Sequence, residues 1–174
     1  MLVFIAGVHG VGKGYLCAQA EKELEFSHKS ASELIREFGN IKFEKDKLTN
    51  DIDNNQLILL NALEQLKKNG SNILLDGHFT LLGKDGEINT LSANIFEGMS
   101  LDGIILVMEP AQVIRERIKS RDGIEIEYDL DNLLKSELIN AREISSKLGV
   151  KLIELNSPSK EDFITALKNL AYKA

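Results

Sequence analysis

The chain is 174 residues long, with 43% apolar and 28% charged residues, the size and balance of one soluble domain with a full core. Its formal charge of −6, with no basic run longer than two residues, argues against nucleic acid as a partner, because a polyanion needs a cationic stripe. Cys17 is the single cysteine, so no internal disulfide forms, which fits a reducing cytoplasm; no membrane span or signal core is long enough to recognise.

Leu2–Ala6 is apolar in succession rather than alternating, the pattern of a strand covered on both faces. It runs directly into Gly7-Val8-His9-Gly10-Val11-Gly12-Lys13-Gly14, after which a helix is expected over Tyr15–Glu25. A weak strand follows near Phe26–Lys29. Over Asp46–Lys68 the residues Ile52, Gln56, Leu59, Leu63 and Leu66 recur at helical steps, leaving charges on the other face, and Gly70 stands where a left-handed cap favours glycine. Ile73–Leu75 is a short apolar strand ending at Asp76-Gly77-His78. Asp85-Gly86, within Leu82–Ile88, suggests a hairpin-like excursion. Ile104–Met108 is another buried strand, and Pro110 is placed to open the next helix. Leu130–Leu148 is helical by period and is capped by Gly149; Leu152–Leu155 is a fifth strand, and Lys160–Tyr172 a last helix after Ser157-Pro158-Ser159. Strands alternating with helices predict a single α/β domain over residues 1–174, with a five-stranded, mostly parallel sheet between helical layers. Ligands of such sheets gather at the carboxyl ends of the strands.

The octapeptide after the first strand is the most specific feature. Consecutive backbone N–H groups can turn toward anionic oxygens only where glycines permit the conformation and the close approach. The following helix adds its positive end, and Lys13 adds a mobile ammonium. At average composition this glycine–lysine pattern arises by chance in fewer than about one chain in a thousand. The residues that would touch the phosphates of a nucleoside triphosphate are Gly7, His9, Gly10, Val11, Gly12, Lys13, Gly14 and Tyr15. Gly14 stands where a hydroxyl often helps to hold Mg²⁺, so the metal would need water and another carboxylate. Asp76, at a strand end facing the phosphates, is the candidate.

Gly7-x-x-Gly10-x-Gly12-Lys13-Gly14 resembles the phosphate loop of adenylate kinases and related P-loop nucleoside monophosphate kinases, and Leu74-Leu75-Asp76-Gly77-His78 resembles the third-strand motif of their short archaeal-type members. The resemblance implies a three-layer P-loop fold with ATP and Mg²⁺ as cofactors and a small-molecule acceptor, a nucleoside monophosphate. It places the acceptor segment near residues 30–65, with Arg36 on the acceptor phosphate, and a short lid near residues 117–129. Arg117 and Arg121, in the run from Val113 to Asp122, match arginines brought over the transferring phosphoryl group, and their spacing puts both on one helix face. Arg142 matches a further catalytic arginine, though pairing with a glutamate of its own helix accounts for it equally well. Asn156 matches the loop beside the donor base. His78 suits orientation of phosphate or metal, or satisfaction within a turn. Arg115 reads as a solvated helix charge, and His28 and Cys17 as structural. Two other functions fit the same residues: a P-loop kinase of another small metabolite, and an ATP-binding regulator without transfer activity.

Overall fold

The computed structural model describes residues 1–39, 51–68, 70–83 and 86–171. Residues 46–50 of the expected third helix, Asp85 and Tyr172 lie outside them. In chain order the elements are β1 (Leu2–Ala6), α1 (Lys13–Glu23), β2 (Phe26–Ser30), α2 (Ala31–Gly39), α3 (Asp51–Lys68), β3 (Asn72–Asp76), β4 (Thr80–Leu82), β5 (Ile88–Thr90), α4 (Ala93–Glu97), β6 (Gly103–Met108), α5 (Ala111–Asp122), α6 (Leu130–Leu148), β7 (Leu152–Asn156) and α7 (Lys160–Ala171).

Five strands form one parallel sheet in the order β2-β3-β1-β6-β7, as the unbroken apolar runs predict. The strands divide their side chains between two cores. Leu2, Phe4, Ala6, Ile73, Leu75, Ile104 and Leu106 face Leu34, Leu59, Leu63, Phe79 and Phe96. Val3, Ile5, Leu74, Ile105 and Val107 face Leu16 and Cys17 of α1, Ile114 and Ile118 of α5, and Phe163 and Leu167 of α7. Each such side chain contributes about 1.5–3 kcal/mol by leaving water, so the middle strands are the most strongly held part of the chain. The P-loop α/β fold expected from the sequence is the fold observed.

Helix α6 joins the two cores. Leu130 and Leu133 pack into the second and Ala141 and Ile144 into the first, so the helix crosses from one layer to the other. Glu137 and Asn140, both buried, lie at the crossing. Asp129 caps its start by accepting from the Asn132 N–H at 3.0 Å, and Gly149, with φ 64°, ends it.

Two features have no counterpart in the apolar periodicity. β4 and β5 form an antiparallel hairpin, Thr80 opposite Thr90, and α4 is a single short turn capped by Ser92. Elements of three to five residues are too short to show a period. The segment expected as a lid divides in two. Residues 117–122 complete α5, and the segment after Gly123 folds back on that helix: Arg115 donates to the Ile126 carbonyl at 3.1 Å, and Lys119 pairs with Glu125 at 2.6 Å. Among the described residues no helix is long and apolar enough to cross a membrane.

Candidate functional site

The loop between β1 and α1 reverses direction through Gly7, Gly10 and Gly12, whose φ angles are 139°, 94° and 98°. Side-chain-bearing residues rarely adopt such angles. A Cβ on Gly7 would also collide with the backbone oxygen of Val107, and one on Gly10 would lie 2.9 Å from Ile114 Cγ2. The loop thus lies directly on β6 and α5. Gly14 is different, because a Cβ there meets nothing within 4 Å.

This loop lines one side of an open groove of about 880 Å³ at the carboxyl edge of the sheet. His9, Gly10, Gly12, Lys13, Gly14 and Tyr15 face it from the loop and the start of α1, Asp76 and His78 from the end of β3, and Arg117 and Arg121 from α5. Sequence positions far apart thus meet where the expected site lies. Tyr15 stands at the rim with 65% of its surface exposed. Gly7 and Val11 lie beneath the groove wall, Val11 being part of the apolar layer. Three further expected residues are not among those lining it. Arg36 is on the exposed side of α2. Asn156, at the end of β7, lines a separate shallow hollow of about 510 Å³ with Pro158 and Asp162. Arg142 is paired with Glu154 of β7, at 2.7 and 2.8 Å, rather than with a glutamate of its own helix.

Lys13 is nearly fully buried. Its ammonium donates to the Gly7 carbonyl at 2.5 Å and the Val8 carbonyl at 3.3 Å, and stands 3.6 Å from Asp76. Burial lowers its affinity for a proton, and the carboxylates of Asp76 and Glu137 work against that loss. For Asp76, burial acts to raise the carboxyl, but His28 and Lys13 beside it outweigh burial and hold it below the usual range. His28 Nε2 lies 3.6 Å from Asp76, too long for a hydrogen bond, and is buried without another partner. His78 is pushed down to about 4, by burial first and by the charge of Lys13 second, so its ring stays neutral near pH 7. Burial raises the Cys17 thiol, and it packs as a small apolar residue.

The two arginines of α5 are already seated. Arg117 donates to the carbonyls of Gly10 and Val11 at 3.4 and 3.1 Å and pairs with Glu109 at 2.9 Å; Glu109 in turn accepts from the Ser157 hydroxyl at 2.8 Å. Arg121 contacts His9 Nε2 at 2.6 Å and pairs with Asp122. The arrangement gathers amides, an ammonium and two guanidiniums round one groove, the equipment for holding and stabilising polyphosphate.

Beyond Asp76 and His78 the groove opens into a narrower slot of about 260 Å³, walled by Phe4, Ile35, Leu59, Leu91, Ile95, Phe96 and Met99, with Asn55 and Gln56 supplying amides. Phe4 packs edge-on against Phe79 and Phe96, and Phe79 tilts against Phe96, with ring centroids 4.8–5.3 Å apart. Groove and slot share Ser30, Ser32, Asp76 and His78. Among the described residues there is no group of three or more His, Cys, Asp or Glu able to hold a metal. Asp76, 3.6 Å from the Lys13 ammonium, is a single carboxylate of the kind that could hold a magnesium–phosphate complex, since Mg²⁺ keeps most of its water and takes one or two carboxylates.

No curated protein sequence matches the chain. Its fold is similar to that of a sugar kinase from Janibacter sp. HTCC2649 (TM-score 0.57, 16% identity, covering 98% of this chain and 93% of that one). It is also similar to a gluconokinase from Sinorhizobium meliloti 1021 (0.53, 18%, 97% and 90%), and to the YorR protein from Bacillus subtilis in complex with phosphorylated GDP (0.57, 17%, 98% and 95%). Residues 6–134, from the last residue of β1 into α6 and well over half of the chain, match the AAA domain family, and the chain belongs to that family.

Proposed function

We propose that the chain is an ATP-dependent phosphotransferase that moves the γ-phosphoryl group to a nucleoside monophosphate. The observation that carries this is the continuity of the two cavities: a cationic, glycine-lined groove opens, past Asp76 and His78, into a slot of different character. Phosphoryl transfer is mostly positioning and charge stabilisation, so two adjoining sites with cations round one of them suffice. The slot is walled by aromatic and aliphatic side chains with a few amides, which suits a flat heterocycle better than a polyhydroxylated sugar. In this proposal the loop amides and Lys13 hold the β and γ phosphates, Arg117 and Arg121 offset the charge that spreads over the transferring group, and Asp76 holds Mg²⁺. The metal would supply charge neutralisation between the phosphates. Asn156 would stand beside the donor base and Arg36 would meet the acceptor phosphate from α2 as the resemblance implies, although neither lines the groove or the slot.

A second reading, a kinase of a small hydroxylated metabolite, is favoured by His78. A phosphate acceptor is already ionised, but a hydroxyl acceptor needs a base, and His78 stands at the seam as a neutral imidazole. The sugar kinase and gluconokinase among the fold neighbours fit this reading, and the neighbour holding phosphorylated GDP fits the first.

The deciding experiment measures ADP release from Mg·ATP over a panel of nucleoside monophosphates and of sugars and sugar acids, beside Lys13→Ala. Turnover with a monophosphate, lost by about a thousandfold in the variant, supports the first reading. Turnover confined to hydroxylated acceptors supports the second. ATP binding without turnover on any acceptor overturns both and leaves a nucleotide-binding regulator.

A further inference from the structure

Glu137 has no part in the chemistry described so far, yet it is the most deeply placed carboxylate near the site, with 2% of its surface exposed. It projects from α6 where that helix crosses between the cores. Its Oε1 accepts from the Gly7 N–H at 3.2 Å and the Phe79 N–H at 3.0 Å, and its Oε2 also accepts from Phe79 at 3.0 Å. One turn on, Asn140 donates to the Thr80 hydroxyl at 3.2 Å. Gly7 opens the phosphate loop, and its carbonyl receives the Lys13 ammonium. Phe79 follows Asp76, Gly77 and His78, the residues that divide groove from slot. A buried carboxylate is stable only when such donors satisfy it, so the two main-chain segments are tied to one side chain.

Resting on the proposed transfer between groove and slot, we infer that Glu137 is a positioning residue that couples them: filling the phosphate loop shifts the Gly7 peptide, and the shared carboxylate passes that shift to residues 77–80 at the mouth of the slot. Phosphates drawing Lys13 away from the Gly7 carbonyl would leave Glu137 as the tie that keeps this peptide in register with Phe79. Both tied segments are tightly enclosed: a Cβ on Gly7 would strike the Val107 carbonyl, and one on Gly77 would come within 2.7 Å of the Phe4 ring. Tight packing passes on a small displacement where loose packing would absorb it.

Amide hydrogen exchange across residues 77–82, with and without Mg and the β,γ-imido analogue of ATP, tests this, with calorimetry confirming that the analogue binds. In the wild type, binding slows exchange in this segment by about fivefold or more. Glu137→Ala, and Glu137→Asp, which keeps the charge but is too short to reach both N–H groups, bind the analogue and lose that response. Glu137→Gln, whose amide oxygen still accepts from both, restores it, which a purely structural carboxylate does not require. A response that persists in the Asp variant, or none in a wild type that binds, overturns the coupling alone. A wild type that binds no analogue overturns the nucleotide reading, and the coupling falls with it.

Discussion

Round the phosphates, position is enforced by main chain; round the slot, by side-chain volume. Gly7, Gly10 and Gly12 hold φ angles of 139°, 94° and 98°, and two of them touch β6 or α5 so closely that no side chain fits. The slot is shaped by Phe4, Leu59, Phe96 and Met99, residues that exchange for one another with little disturbance to the backbone. A triphosphate presents the same oxygens whatever the reaction, so its cradle is built from backbone. On the proposed reading the acceptor would sit in the slot, where side-chain volume rather than backbone sets the shape. The two modes meet at Gly77, which the Phe4 ring closes off.

Breaking the backbone side of this contrast has the largest expected effect. In Gly7→Ala the new methyl group meets a main-chain oxygen that cannot rotate away, at a φ that alanine avoids. We expect a loss of about 3 kcal/mol or more in denaturant unfolding. A loss below about 1 kcal/mol would show that the loop relaxes, and the cradle would then be no more rigid than the slot.

His78, at the boundary, gives the next largest effect, and it is one of pH. Its folded value of about 4 lies below the ordinary 6.5. Between those values the unfolded chain takes up a proton that the folded chain refuses. Stability from this residue is therefore complete above pH 6.5 and drains away as the pH falls toward 4. Thermal or urea unfolding of wild type and His78→Asn from pH 7 to pH 4 should show the wild type losing about 3 kcal/mol more than the variant. Parallel curves would mean that the imidazole is well hydrated and the seam is open to water.

On the slot side the effect is smaller and selective. Gln56 of α3 lines the slot and not the groove. Gln56→Ala is expected to raise the KM of the acceptor about tenfold and leave the KM of ATP unchanged, since one hydrogen bond in a polar-poor pocket discriminates by about that factor. Equal changes in both constants would show that groove and slot are not separate sites.

The same contrast explains what the sequence discloses. The phosphate loop is legible because its demands are local: each glycine is needed by its own φ or its own neighbour, and Lys13 follows at a set spacing. Arg117 and Arg121 come from the resemblance of the run Val113 to Asp122, and Asp76 from its place at a strand end. Glu137 is not, because its partners are the N–H groups of Gly7 and Phe79, and main-chain donors leave no mark in the residue string. One trace exists: Glu137 stands in the row of Leu133, Ala141 and Ile144, all buried, so a carboxylate interrupts the apolar stripe of α6. The nearness of His28 to Asp76 is hidden for another reason, since it depends on the pairing of β2 with β3. The slot is assembled from seven elements and the loops between them, none with a motif of its own.

Arg142 carries the smallest expected effect and the sharpest test of where the cations of the site end. The resemblance to adenylate kinases places it among the arginines of transfer, but the exposed guanidinium lies on the partly exposed carboxylate of Glu154. An exposed pair of this kind holds little free energy, because water screens it and two long side chains must be ordered to form it. Arg142→Ala should therefore leave the turnover of whichever acceptor proves active unchanged, in the same assay in which Lys13→Ala abolishes it. A fall of more than about tenfold in kcat with the KM of ATP unaltered would mean that Arg142 leaves Glu154 during the reaction and reaches the transferring group. The groove would then close by movement of α6 toward the phosphates, and Glu137, on the same helix about one and a half turns before it, would be the residue through which that movement is felt.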